Sequence, residues 1–138
     1  MVVAKNQAIL VAKTFDRRSA RVYTVPLQPP ASLMRPAIPE KAGILEGFDE
    51  PVTGADLSRD GRLVVCSTQR VGVYRQGPQG GWTHVATRRF RSRGDVEAVA
   101  WDGDSLILAG EGRDVFRIRT TGWANLSGEP VQKAEPRP

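Results

Sequence analysis

The chain has 138 residues, of which 40% are hydrophobic and 25% charged, with a formal net charge of +5 and a pI near 10.0. These values are typical of one soluble globular domain, and they exclude a helical membrane protein because no apolar run approaches the roughly 20 residues that a bilayer requires. The single cysteine, Cys66, excludes an internal disulfide and a thiolate metal cluster within one chain. We interpret it as a small buried side chain of an apolar strand.

The first part of the chain predicts a hairpin followed by a long loop. Residues 8–15 and 20–27 are predicted strands because their apolar side chains alternate on either side of a short polar turn. Prolines crowd residues 28–42, and since proline blocks both helices and interior strands, we predict a surface loop there. A strand at residues 43–48 closes this unit, and residues 2–4 are the candidate for its innermost strand.

The next part of the chain contains one sequence pattern twice. Each copy has an Asp-Gly pair, Asp60-Gly61 and Asp102-Gly103, 42 residues apart, and Asp-Gly is a strong signal for a tight turn. A period near 40 with several short strands per repeat is typical of β-propeller blades. The predicted strands are residues 52–58, 62–68, 71–76 and 82–90 in one copy and 96–101, 105–110 and 114–120 in the other, with 123–126 as a short candidate fourth strand.

We therefore predict an all-β chain, a partial β-propeller of two to three antiparallel four-stranded blades. The blades are expected at about residues 1–48, 52–90 and 96–126, followed by a disordered polar tail at 127–138. The two ends do not match, and an incomplete propeller exposes unpaired edges. We therefore expect the chain to be one piece of a longer propeller, or to associate with a second copy that completes a six-bladed ring.

Five segments in a fixed order carry a resemblance that covers about residues 8–119. They are LVAK (10–13), SARVY (19–23), VTGADLSRDGR (52–62), EAVAWDG (97–103) and AGEG (109–112). In these residues the chain resembles the C-terminal half of bacterial β-propellers of the esterase-like or phytase-like type. The resemblance implies a six-bladed ring. It also implies that a phytase-like calcium and phosphate site would need carboxylates from several blades, most of which are outside this sequence.

Glu97 is the main candidate for a functional site. It begins a predicted innermost strand, where side chains approach the central channel of a propeller, and with Asp95 it could bind a hard cation or a substrate. The alternative is an ion pair with a nearby arginine. We expect no cofactor. If Glu97 does bind a metal ion, Ca²⁺ is the candidate, and calcium-dependent thermal stabilisation that is lost in Glu97→Gln would identify the site.

Four arginines in a short run are the candidate for anion binding: Arg88, Arg89, Arg91 and Arg93. On a strand the last three face one way and Phe90 the other, so their guanidinium groups could contact phosphates. Like charges on an edge strand also discourage the addition of further strands, which is the alternative interpretation. Salt-sensitive retardation of nucleic acid in a gel would support anion binding.

The other polar candidates have structural interpretations. We interpret Asp60 and Asp102 as turn residues rather than calcium ligands, together with their neighbours Asp56 and Asp104. The only histidine, His84, is predicted on an outermost strand with no partner for zinc binding or nucleophilic catalysis.

Large aromatic side chains recur near the strand ends. We predict that they fill the space between adjacent blades. They are Trp82, Trp101 and Trp123, together with Tyr23, Tyr74 and Phe116, which occupy one repeated position.

The predicted function is a non-enzymatic scaffold or binding module, because stacked blades present a rigid surface without needing a catalytic group. Its partner would be another protein or a second copy of the chain, and neither nucleic acid nor a membrane is expected. One alternative is a phytase-like or esterase-like hydrolase with a metal site in the channel. The other is binding of an anionic polymer through the arginine run at 88–93. No signal-peptide pattern is visible, so a complete chain would be cytoplasmic.

Overall fold

The computed structural model describes residues 1–4, 6–15, 19–27 and 37–123. Within these ranges the chain forms strands and turns, and it contains no helix long and apolar enough to cross a membrane. The strands are β1 (Val2–Ala4), β2 (Gln7–Val11), β3 (Ala20–Pro26), β4 (Glu40–Leu45), β5 (Gly54–Leu57), β6 (Arg62–Cys66), β7 (Arg70–Gln76), β8 (Trp82–Arg89), β9 (Val96–Asp102), β10 (Ser105–Gly110) and β11 (Val115–Arg119).

The strands form three antiparallel sheets, each in chain order, which we call blades 1, 2 and 3. Blade 1 is β1-β2-β3-β4, blade 2 is β5-β6-β7-β8, and the described part of blade 3 is β9-β10-β11. The prediction of an all-β partial propeller is confirmed. The candidate strand at residues 2–4 is the innermost strand of blade 1, with Val2 opposite Ile9.

The repeated turns and bulges show that the blades are built alike. Gly61 and Gly103 follow the turn aspartates with φ of 82° and 58°, a backbone region that glycine enters without steric cost. In blades 1 and 2 the third and fourth strands also share a register shift, which falls directly before Tyr23 and directly before Tyr74. The equivalence of these two tyrosines, proposed from the sequence, is therefore confirmed by the backbone.

Three predicted boundaries in blade 1 are wrong. The strand predicted at residues 8–15 is β2, which ends at Val11. The predicted loop at 28–42 ends early, because β4 begins at Glu40, which pairs with Thr24 of β3. Strand β4 ends at Leu45, and Phe48 follows in a turn rather than in a strand. Pairing with residues 20–24 of β3 decides these limits, since local composition disfavours a strand at Glu40 and Lys41. Residues 28–36, 124–126 and the tail at 127–138 lie outside the described residues.

Two hydrophobic cores lie between the three blades. The alternation of β6 shows how they are divided: Leu63 and Val65 enter the core between blades 1 and 2, whereas Val64 and Cys66 enter the core between blades 2 and 3. Blade 2 is therefore covered on both faces, which explains the continuous apolar run of β6. The prediction that Cys66 is a buried structural residue is confirmed.

The tryptophans have their predicted role. Trp82 packs against the core between blades 1 and 2, Trp101 packs against the core between blades 2 and 3, and Trp123 is buried in that second core. Tyr74 and Phe116 also contact the cores as predicted. Tyr23 differs: it is half-buried and belongs to neither core, because no described sheet covers that side of blade 1.

Candidate functional site

The innermost strands approach each other closely beside the start of β9. Strand β5 contacts both β1 and β9. At Gly54 a Cβ atom would lie 3.0 Å from Ala98 Cα and 3.1 Å from the Glu97 carbonyl oxygen, so only glycine fits without displacing the backbone. The Thr53 hydroxyl donates a 2.7 Å hydrogen bond to the Val96 carbonyl across the same junction. The backbone around Glu97 is therefore fixed by blade 2.

Glu97 occupies a β-bulge. Val96 pairs with Gly110 and Ala98 pairs with Ala109, which leaves Glu97 as the extra residue on β9. Bulges re-aim a side chain relative to the regular sheet, and the Glu97 side chain is exposed. Asp95 is also exposed, and its carbonyl oxygen accepts a hydrogen bond from the Glu111 N–H at 3.1 Å.

The described residues bring no third ligand to this place. Nowhere in the described ranges do three or more His, Cys, Asp or Glu side chains assemble in a group that could hold a metal ion. Binding of Ca²⁺ or a substrate by Glu97 and Asp95 therefore stays a prediction. Nearby, burial raises the pKa of the Cys66 thiol, and the negative charge of Glu97 adds to that rise, so the thiol is poorly suited to nucleophilic chemistry.

The aspartates have structural partners. Asp60 accepts a 2.5 Å hydrogen bond from the Ser58 hydroxyl and forms a 2.8 Å ion pair with Arg62. The Ser58 hydrogen bond, followed by Arg62, holds the pKa of Asp60 below its usual value. Asp102 forms an ion pair with Arg117 at 2.8 Å. Asp60 therefore has partners within its own turn, whereas the contact of Asp102 is an exposed ion pair outside its turn, so its interpretation as a structural turn residue stays a prediction.

The arginine run is partly engaged within the molecule. The Arg88 guanidinium lies 5.4 Å from the centre of the Trp123 ring, and Arg89 forms a 3.3 Å ion pair with Glu50. Phe90 is buried, and Arg91 and Arg93 are exposed. The prediction that these residues alternate along one strand is wrong, because β8 ends at Arg89. Anion binding by these four arginines stays a prediction.

His84 lies on the outermost strand of blade 2, as predicted. It hydrogen-bonds with Thr87 at 2.7 Å, and its ring contacts that of Tyr74 edge-on at 5.5 Å.

A cluster around Arg70 was not predicted from the sequence. Arg70 donates hydrogen bonds to Asp49 at 2.8 Å and to the Gly47 carbonyl at 2.6 Å, and its guanidinium lies 5.3 Å from the centre of the Phe48 ring. The Tyr74 hydroxyl donates to the Glu46 carbonyl at 2.9 Å. These contacts fasten the connection from blade 1 onto blade 2, and no local pattern around Arg70 indicates them.

The outward sides of blades 1 and 3 form two further surfaces. We call the outward side of blade 1 the blade 1 face; it consists of Val3, Ala8, Leu10, Arg21, Tyr23, Val25, Lys41 and Ile44. We call the outward side of blade 3 the blade 3 face; it consists of Ala98, Ala100, Ile107, Ala109, Val115, Arg117 and Arg119. Val3, Ile44 and Val115 are 59%, 38% and 68% exposed, whereas the small Ala8 is buried.

Comparison with known proteins supports the fold. No family model and no curated protein sequence matches the chain. Two solved structures, titled "COPII on membranes, outer coat vertex" and "The structure of the COPII coat assembled on membranes", each cover 94% of this chain with a TM-score of 0.52 and 10% identity. The chain spans 40% and 22% of the lengths of those two matched chains. At this identity the likeness shows the fold alone: the chain is an all-β partial propeller that resembles part of each longer chain.

Proposed function

We propose that the chain is a non-enzymatic scaffold or protein-binding module that acts as part of a larger or oligomeric propeller. One observation carries the proposal: the blade 1 face and the blade 3 face flank the two internal junctions, yet no described sheet covers either of them. Exposed apolar patches on a globular protein mark surfaces where another protein packs.

Blade 2 shows what coverage on both faces achieves. Leu63, Val64 and Val65 are fully buried because neighbouring sheets lie on either side. Each such aliphatic side chain gains roughly 1.5–3 kcal/mol from burial. A sheet packed onto the blade 1 face or the blade 3 face would supply the same kind of burial to side chains such as Ile44 and Val115.

Two comparisons support this function without specifying the partner. The resemblance to esterase-like and phytase-like propellers implies a ring with more blades than this chain contains. The similar solved structures are titled as an assembled coat. By analogy we propose that this chain also works by assembling with protein.

Isolation of the native complex tests the proposal. The tagged chain would be purified from the source organism after mild cross-linking, beside the variants Ile44→Asp and Val115→Asp. Thr83→Asp, an exposed position on β8 of blade 2, is the matched control. We expect one stoichiometric protein, of any identity, with the wild type and the control and its loss with the face variants. A wild-type chain that emerges as a 15.1 kDa monomer in every preparation would overturn the proposal.

A further inference from the structure

We infer that the blade 1 face is covered by an acidic protein, which meets Arg21 and Lys41 with two carboxylates set among apolar side chains. The inference rests on the proposed function above and names the chemistry of the partner. Two observations carry it. The blade 1 face repeats the arrangement of a covered face of blade 2, and it gains a cation at two neighbouring positions of that arrangement.

The repeated arrangement centres on a pair of side chains. In blade 2, Leu63 pairs with Tyr74, and both are fully buried under blade 1. In blade 1, Leu10 pairs with Tyr23 in the same way, and both are half-buried. A register shift directly before each tyrosine also aligns the third and fourth strands of the two blades. The blade 1 face is therefore shaped to be covered.

The first cation stands where blade 2 has a glycine. Arg21 lies two residues before Tyr23, as Gly72 lies two residues before Tyr74. The Phe48 ring packs so closely on Gly72 that a Cβ atom there would lie 2.8 Å from the ring. An arginine at the same position takes the space that such a ring would need. The partner therefore meets a guanidinium group there and cannot copy the way in which blade 1 covers blade 2.

The second cation stands opposite the repeated tyrosine. Lys41 pairs with Tyr23 in blade 1. In blade 2 the same place is taken by His84, which pairs with Tyr74 and contacts its ring edge-on. A long cationic side chain thus replaces an aromatic contact, and it extends away from the sheet towards whatever covers the face.

Arg21 and Lys41 are exposed diagonal neighbours on β3 and β4, and neither forms an ion pair or a side-chain hydrogen bond with the described residues. Diagonal positions on paired strands lie roughly 7–8 Å apart. A covering sheet removes both charges from water, which is costly unless each gains an opposite charge. Two carboxylates two residues apart on one strand of the partner would supply these charges, because side chains at that spacing share a face about 7 Å apart.

The same charges disfavour a second copy of this chain as the partner. The blade 3 face also carries two cations, Arg117 and Arg119, of which only Arg117 has an ion pair, with Asp102, among the described residues. Packing the blade 1 face on either face of another copy would bring like charges together. Tyr23 and Ile44, the apolar side chains between the two cations, favour a protein surface over the charged backbone of a nucleic acid.

Zero-length cross-linking of the native complex tests the inference. A carbodiimide joins an amine to a carboxylate only where the two groups are in contact, and mass spectrometry of the digest identifies both residues. We expect Lys41 to be joined to an Asp or Glu of the copurified protein. Lys13, an exposed amine outside the blade 1 face, is the internal control and should not be joined to it. Lys41→Arg should keep the complex and lose the cross-link.

Charge reversal tests the same contact without a cross-linker. Titration with the copurified protein would compare Arg21→Glu and Lys41→Glu, singly and together, with the wild type. The double variant should bind at least about tenfold more weakly at low ionic strength, and the difference should shrink as salt is added. Arg59→Glu, which reverses an exposed charge in the turn before β6, is the matched control and should bind like the wild type. Circular dichroism melts would show which variants are folded, and the single reversals decide the test if the double variant is not.

The other possible results overturn the inference. If the complex tolerates both reversals, or if Lys41 is joined to no carboxylate or only as often as Lys13, the partner does not meet these cations, and the proposed function stands without the inference. Loss of the complex on nuclease treatment would show a nucleic acid instead, and a cross-link to a second copy of the chain would show self-association. If the wild type is monomeric in every preparation, the inference and the proposed function fail together.

Discussion

Gly72 shows how little space separates blades 1 and 2. A Cβ atom at this buried position would lie 2.8 Å from Phe48 Cδ2 and 3.0 Å from Tyr74 Cε2. Both rings are fully buried, so neither can turn aside into solvent. Phe48, which lies in the connection from blade 1 to blade 2, therefore packs directly against the backbone of β7 at Gly72.

We expect Gly72→Ala to destabilise the fold by about 1–3 kcal/mol, because the added methyl group overpacks a core that cannot expand freely. Gly81→Ala is the matched control, since a Cβ atom there would meet nothing within 4 Å. Urea unfolding of both variants measures the difference in the free energy of unfolding. Equal midpoints for the two variants would contradict the packing described for Gly72.

The buried phenol of Tyr74 is one reason why the fold should lose stability at alkaline pH. Burial raises the pKa of the Tyr74 phenol well above its usual value, with Arg70 opposing and Asp49 adding to the rise. The unfolded phenol ionises near pH 10. Because the folded pKa is the higher one, the contribution of Tyr74 is complete below about pH 10 and is lost as the pH rises further.

We expect the free energy of unfolding of the wild type to fall by up to about 1.4 kcal/mol per pH unit above pH 10 because of Tyr74. In Tyr74→Phe this part of the fall should be absent. At neutral pH the variant should be less stable by about 0.5–1.5 kcal/mol, since the Glu46 carbonyl loses its hydrogen-bond donor. Chemical denaturation at a series of pH values tests both effects. Parallel pH curves for the two proteins would rule out this role for Tyr74.

At the scale of the strands, β5 and β9 are joined by side chains rather than by a shared ladder. Asp56 accepts the N–H of Trp101 at 2.7 Å and that of its own neighbour Leu57 at 2.9 Å. The Trp101 ring donates to the Arg62 carbonyl at 3.1 Å and lies 4.5 Å from the Arg62 guanidinium. Blades 2 and 3 are thus held at their inner ends by polar contacts as well as by the core.

We expect Asp56→Ala to cost about 1–3 kcal/mol of stability, because the Trp101 N–H loses an acceptor in a partly buried place. Asp104→Ala is the matched control: its carboxylate is 81% exposed and lies 4.0 Å from Arg62, so no measurable change should follow. Thermal melts followed by tryptophan fluorescence would report both stability and the surroundings of Trp101. A control that melts as early as Asp56→Ala would refute the assignment.

At the scale of the whole molecule, the three blades are not equivalent. Blade 2 has a neighbour on each face, whereas blades 1 and 3 each turn one face away from the described chain. A propeller piece whose outer blades each leave one face uncovered is suited to packing against another protein, and that property underlies the proposed function.

Much of this architecture was predictable because it depends on local patterns. The alternation of apolar residues and the repeated Asp-Gly turns gave the strands of blades 2 and 3 to within a few residues. Cys66 and Trp82 were predicted to be buried or packed between blades, and the structure confirms both. The start of β4 at Glu40 was missed, because the pairing strand β3 decides it and not its own composition.

The candidate site was predictable only in part. Its place at the start of an innermost strand makes Glu97 a candidate from the sequence, but its bulge follows from the pairing of β9 with β10. The Arg70 cluster and the Asp56–Trp101 contact join residues 21 and 45 positions apart. Contacts over such distances arise when separate sheets stack, so no window of the sequence contains them.

The amino-acid sequence by itself determined the all-β class, the repeat of about 40 residues and the identity of most core positions, because turn chemistry and side-chain alternation act between near neighbours. Only the tertiary structure decided which side of each blade is covered. That property depends on how one sheet packs against the next. It explains why Tyr74 is fully buried while Tyr23, at the same place in its own blade, still faces outward.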